Sequence, residues 1–246
     1  MDKRIWIAAL ALAVVAAGAW YVMRPRPEVP PPPAPPPQAQ PRSSDAPLPP
    51  AQDSDARIRS SLGSASPKTD LREWLSAEGD LLDRWAVIAD NLAEDASPRK
   101  QLQRLAPRGP FKVVETKAGA RIDPRGYQRY NSFADLVSSV DAKGFAAVVR
   151  ELHPLLESAY HKLGYPERSL DSVATRALQR LAGAPVAEGP PELKPKGAMW
   201  QFADEKLESQ GPVEKHLLRM GPRNTKLIQA KAREIAQALD LRIAGQ

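Results

Sequence analysis

The chain of 246 residues contains no cysteine. That absence excludes disulfides, zinc–thiolate sites, iron–sulfur clusters and thiol nucleophiles. Histidine is scarce, with three in the chain: His153, His161 and His216. Metal sites and histidine-dependent hydrolysis therefore have little to draw on. No G-x-S-x-G run, dinucleotide-binding glycine pattern or Walker glycine pattern is present either. A dense basic face is also missing. The net charge is +6, and the 30 basic and 26 acidic groups after residue 52 leave a surplus of only +4 there. That surplus weakly favours anionic partners and falls well short of a nucleic-acid binder. No cofactor is expected, no nucleic acid is expected, and no internal repeat is visible.

Long apolar runs are absent with one exception. Residues 5–23 are nineteen positions without a charge, preceded by Lys3 and Arg4 and followed by Arg24 and Arg26. A helix of that length rises about 28 Å, the hydrocarbon thickness of a bilayer. The run is longer than the usual core of a signal peptide, and Trp20 and Tyr21 sit where an interfacial aromatic belt belongs. The reading is a single-pass anchor after a four-residue tail. Ala17-Gly18-Ala19 offers a signal-peptidase-like site as the alternative, with release after Ala19. Flanking charge nearly balances, so orientation rests on the short N-terminal overhang and the long C-terminal domain. Both suit a bacterial inner-membrane protein whose domain faces the periplasm.

Residues 25–50 hold 13 of the 26 prolines. Proline lacks the amide donor and fixes φ, so this stretch forms neither helix nor sheet. It favours polyproline II, and at about 3.1 Å per residue it reaches on the order of 80 Å. The division expected is 1–4 tail, 5–23 anchor, 24–52 proline-rich tether and 53–246 soluble domain.

That domain reads as mainly α with a small antiparallel β-hairpin or sheet. A weak helix is expected over 53–62. Thr69 or Asp70 is the expected cap of 71–77, Asp80 that of 81–94, and Ser97-Pro98 opens a short basic helix to Leu105. Residues 111–116 and 120–123 read as a hairpin, with Glu192-Leu193 or residues 199–202 as the candidate further strand. Ser132 and Asp135 look like a capping box. Asp141 caps a long core helix over 142–163, kinked at Pro154. Ser169 caps a helix through Leu181, and residues 185–195 read as an extended loop. Asp204 caps a short helix, and 212–220 is a helix stopped by Gly221. Pro222 opens the last one, with Leu227, Ile228, Ala232, Ile235, Leu239 and Ile243 as its stripe.

Several blocks, taken together, resemble a family. They are Asp90-Asn91-Leu92-Ala93 with Gly109-Pro110-Phe111; residues 127–130 with Ser139-Val140-Asp141; Pro154-Leu155-Leu156 with Ala159-Tyr160 and Leu163-Gly164-Tyr165-Pro166; and Phe202-Ala203-Asp204 with Arg219-Met220-Gly221-Pro222 and Asn224. In this order, over about residues 53–239, the chain resembles the bacterial family catalogued as domain of unknown function 3014. The resemblance implies an anchor and a proline-rich tether and supplies no activity. The chain departs from the pattern at His153, where the family carries tyrosine, which argues against a role for that histidine.

His153, Glu157 and His161 share a helix face as metal ligands would, but Pro154 disturbs the register and only His216 remains to complete a site. Two solvated or half-buried histidines are the plainer reading. Arg219 and Arg223 flank a helix–turn–helix joint with Asn224. Free amides, the helix dipole and guanidinium groups there suit a carboxylate or phosphate, or a partner protein. Tyr127, Tyr130, Tyr160, Tyr165, Trp200 and Phe202 are the aromatics that would line a cleft beside them, with core packing as the plainer reading. An ordinary tight joint is the competing reading. Asp90, Asp123, Asp141 and Asp204 are the carboxylates available for acid–base chemistry. The function expected is a tethered, non-enzymatic envelope protein that binds a protein or peptidoglycan partner. An Asp/Glu-dependent envelope hydrolase and a cytoplasm-facing adaptor are the alternatives.

Overall fold

The computed structural model describes residues 54–244, apart from 65 and 118. The expected anchor and tether lie outside the described residues. Among the described residues, no helix is long and apolar enough to cross a membrane. They form a mainly helical domain with one four-stranded antiparallel sheet, as expected in class.

The first helices are α1 (Ser54–Ser64), α2 (Thr69–Ala77) and α3 (Leu81–Ala93). Neither Thr69 nor Asp70 caps α2. Lys68 occupies the N-cap and its side chain makes no capping bond. Asp80 stands at the N-cap of α3 with φ 51°, and its side chain makes no cap bond. The cap arrives from another element: Asp55 Oδ1 on α1 accepts from Leu81 N at 2.9 Å. Two short 3₁₀ turns, Pro98–Lys100 and Gln103–Leu105, replace the expected basic helix, and Ser97 caps neither.

The hairpin forms as β1 (Val113–Thr116) and β2 (Gly119–Ile122). A 3₁₀ turn, Pro124–Tyr130, leads into α4 (Asn131–Ser139). The expected capping box is absent. Tyr130 is the N-cap of α4 without a side-chain bond, and Asp135 is taken by Arg223 instead.

Helix α5 (Ala142–His161) is the centre of the core. Asp141 caps it by accepting from Lys143 N and Gly144 N. Leu152, Leu155, Leu156, Ala159 and Tyr160 are buried along it, at the spacing that puts them on one stripe. Burying each such leucine stabilises by about 1.5–3 kcal/mol. The helix continues through Pro154 without ending. Ser169 caps α6 (Leu170–Gly183). Helices α3 and α6 pack together, and α3 and α1 close over α5.

The stretch 185–195 is not all loop. Strand β3 (Glu192–Lys196) pairs with β2 through Ala120↔Leu193 and Arg121↔Glu192, and β4 (Met199–Phe202) adds to β3. Pro195 is tolerated in β3 because it lies beyond that two-residue ladder and faces Trp200 only. Asp204 caps α7 (Glu205–Glu208), then α8 (Pro212–Met220) and α9 (Pro222–Ala238) follow.

Helix α8 joins two cores. Leu218 packs with Ile122, Leu193 and Phe202 of the sheet, whereas Val213, Leu217 and Met220 pack with Tyr130 and Ile228. Helix α9 buries Ile228 and Ala232 as expected, but also Asn224, Thr225, Gln229 and Lys231. Leu227, Ile235 and Leu239 are only half-buried. The polar members are partnered: Gln229 Nε2 donates to Ala184 O at 2.7 Å, and Lys231 Nζ to Val140 O at 2.7 Å, just past α4. A cation there complements the helix dipole.

Candidate functional site

The joint between α8 and α9 has no loop. Gly221 alone separates them, at φ 83°. A Cβ there would stand 2.4 Å from Tyr127 Cγ, so the tyrosine ring lies flat against bare backbone. Asn224 is almost wholly buried, and its Nδ2 donates to Met220 O at 2.9 Å and Tyr127 O at 3.1 Å. Arg223 donates to Asn224 Oδ1 at 3.0 Å and to Asp135 at 2.7 Å. Tyr130 is buried and its hydroxyl accepts from Arg129 at 2.7 Å. Burial pushes the Tyr127 phenol up from its ordinary value. Tyr127, Tyr130, Arg223 and Asn224 thus clamp the joint, and Arg219 faces elsewhere.

Arg219 lines a groove of about 950 Å³ between α8 and the residues around the turn Pro98–Lys100. Arg99 and Lys100 stand on one wall, and Lys215, His216 and Arg219 on the other. No aspartate or glutamate is among the residues lining it. Three of the five cation-forming groups come from α8 because residues 215, 216 and 219 fall on one side of a helix of 3.6 residues per turn. The opposite side of the same helix carries Leu217, Leu218 and Val213 into the two cores. The apolar pattern therefore fixes which way the cations point.

Arg219 is oriented by its neighbours. Its guanidinium lies 4.8 Å over the Phe202 ring. Its contacts to Lys215 O and Trp200 O are long, 3.3 and 3.5 Å. Burial lowers its pKa, with Glu208 acting in the opposite sense, and an arginine remains charged at neutral pH. The acid behind the wall is Glu208, which accepts from Phe202 N at 3.0 Å and approaches Lys215 Nζ at 3.5 Å. Burial raises the Glu208 carboxyl, but the Phe202 amide and the charges of Lys215 and Arg219 outweigh it and hold it below the carboxylate range. Arg99 and Lys100 are exposed and have no ion-pair partner among the described residues.

His216 stands edge-on to Tyr130, ring centres 5.7 Å apart. Solvent reaches it through the groove, yet protein crowds it on the other sides. That desolvation, with the charges of Arg219, Arg99 and Arg129, holds the imidazole below its ordinary value.

A second cavity of about 610 Å³ lies across Ala106, where Arg104, Arg108 and Arg129 meet Asp70 and Glu73. It is mixed in sign, and Arg104 is already paired with Glu78.

The other candidates have structural partners. His153 contacts Asp171 at 3.1 Å, and Glu157 lies 3.6 Å from both His153 and His161. His161 also reaches Arg168 O, at 3.1 Å. Among the described residues, no group of three histidine or carboxylate side chains is arranged to hold a metal ion. Asp141 and Asp204 cap helices. Asp123, covered by the Arg125 side chain, accepts from its amide and guanidinium; those bonds hold it below its ordinary pKa. Asp90 accepts from the Tyr160 hydroxyl at 3.3 Å.

Sequence reading found Arg219 and missed Arg99, Lys100, Lys215 and His216. The available signal was the cluster Lys215, His216 and Arg219 on one face of an otherwise apolar helix. Nothing local tied it to Arg99 and Lys100.

The family model described as "Protein of unknown function (DUF3014)" matches residues 81–236. No curated protein matches the chain, and no solved structure does.

Proposed function

The chain belongs to the DUF3014 family, matched from the start of α3 almost to the end of α9, and on that premise we propose that its domain is a non-catalytic binding module for an anionic partner in the bacterial envelope. The anchor at residues 5–23 holds it on the inner membrane, and the proline-rich stretch carries it into the periplasm. The observation behind this reading is the groove itself: five cation-forming side chains converge from two elements, with no carboxylate lining it. Two of them, Arg99 and Lys100, are exposed and have no ion-pair partner among the described residues. Glu208 offsets one of the charges from behind the wall; the remaining cations repel one another, and an anion relieves that repulsion. The carboxylates suited to hydrolysis are meanwhile engaged in caps and in bonds to Arg125 and Tyr160.

The test is photo-crosslinking in living cells. A photoreactive residue replaces Gln103, which lines the groove and is exposed. A discrete adduct is expected, lost on Arg99→Glu with Lys100→Glu and lost again when residues 30–50 are deleted. An adduct that survives the charge reversal rejects the groove, and one that survives the deletion rejects the spacer.

A further inference from the structure

The groove's charge is concentrated as well as positive. Glu208 offsets Lys215 and His216 is neutral at neutral pH, which leaves Arg99, Lys100 and Arg219; a carboxylate or a single phosphodiester brings one negative charge and answers only one of those three. Linked phosphates bring several charges within one short span, and each phosphate offers oxygens all round its tetrahedron. The walls suit that shape. Arg219 presents a guanidinium fork steadied by the Phe202 ring, its contacts to backbone carbonyls being too long to saturate it. Arg99 and Lys100 face it from the opposite wall as an exposed fork and an exposed point donor. About 950 Å³ is room for more than one phosphate.

We infer that the groove between the turn Pro98–Lys100 and α8 binds a ligand bearing two or more linked phosphate groups, held by Arg99, Lys100, Lys215 and Arg219. This rests on the reading of the groove as an anion site and names its ligand class. The chemistry has two sources, a phosphorylated lipid headgroup or a soluble polyphosphate. Binding also takes up a proton. His216 is faced by Arg219 on its own helix, Arg99 from the turn Pro98–Lys100, and Arg129 and Tyr130 from the turn Pro124–Tyr130. Desolvation, and after it these three cations, disfavour its imidazolium in the free protein, and an incoming polyanion offsets the cations.

The experiment is calorimetric titration of the full chain, in non-ionic detergent, with sodium tripolyphosphate. Saturable binding is expected, weakened at least about tenfold by Arg99→Glu with Lys100→Glu and falling steeply with added salt. Those two side chains are exposed and have no ion-pair partner among the described residues, so circular dichroism should be unchanged. His216→Gln should lose the proton uptake and bind more weakly than the parent chain below about pH 6.5, and the His216 ring proton resonance should titrate at higher pH with tripolyphosphate than without. Displacement of tripolyphosphate by mixed micelles of the same detergent with cardiolipin, and not by micelles with phosphatidylcholine, assigns the lipid source. Tripolyphosphate binding that cardiolipin micelles do not displace assigns the soluble one. Citrate binding as tightly as tripolyphosphate overturns the phosphate class and leaves the anion groove standing. No binding of any of these anions, together with a Gln103 adduct indifferent to charge reversal, overturns both.

Discussion

Gly221 is the position where one hydrogen atom decides whether two helices meet. Its φ of 83° is strained for any side chain, and a methyl group would meet the Tyr127 ring at 2.4 Å. Gly221→Ala should therefore destabilise by about 2–4 kcal/mol, through backbone strain plus overpacking. A urea unfolding midpoint that falls at unchanged slope is the measure. Asn224 holds the same joint by other means. Its amide reaches the carbonyls of Met220 and Tyr127, and an alanine there would leave both without that donor. These two residues explain why the segment Arg219–Asn224 stands out in the sequence without being a ligand site as a whole. A glycine, a proline and an asparagine in that order make a tight joint, and only Arg219 looks into the groove. The sequence could show that the joint was special. It could not show which of its cations the packing would leave exposed, because that depends on Phe202 and Asp135, which come from other elements.

Among the helices, caps made by a residue on its own helix were legible and caps borrowed from elsewhere were not. Asp141, Ser169 and Asp204 each bond amides two or three residues ahead, so short-range pattern finds them. Asp80 fits the same pattern and fails, because its φ of 51° turns it away and Asp55 supplies the acceptor. Asp135 fits a capping box and is drawn off by Arg223. The four-stranded sheet was half legible for a similar reason. Its first hairpin is marked by a turn, whereas β3 carries a proline that reads as loop until β4 is seen beside it. The borrowed cap makes a definite prediction for α3. Asp55→Ala should cost about 1 kcal/mol through loss of the N-terminal acceptor, and Asp55→Asn, which keeps a carbonyl oxygen, should recover most of it. The Arg59 ion pair that both changes disrupt is partly exposed and contributes little. Chemical denaturation of the three proteins distinguishes the two contributions. Equal losses in both variants would assign the effect to the ion pair.

For the whole molecule the net charge of +6 is a poor guide, since what matters is where the cations stand. The groove gathers five cation-forming groups at the place where α8 is held between the sheet and the helical core. Folding therefore assembles a repulsive cluster, and the cost depends on pH through His216. Its folded pKa lies below the unfolded value of about 6.5. The unfolded chain then takes up the proton first. The contribution of His216 is fully present above about pH 6.5 and is lost as pH falls through that value towards the lower folded one. Tm measured downward from neutral pH should fall more in the parent chain than in His216→Gln, the difference isolating this residue from His153 and His161. Saturating tripolyphosphate should reverse the sign. Once an anion raises the folded pKa above the unfolded one, the same protonation stabilises the bound state as pH falls, and the parent chain should gain Tm on His216→Gln over that window. A difference that keeps its sign when the anion is present would mean that the ligand sits away from His216, and the groove would lose its claim to be the site.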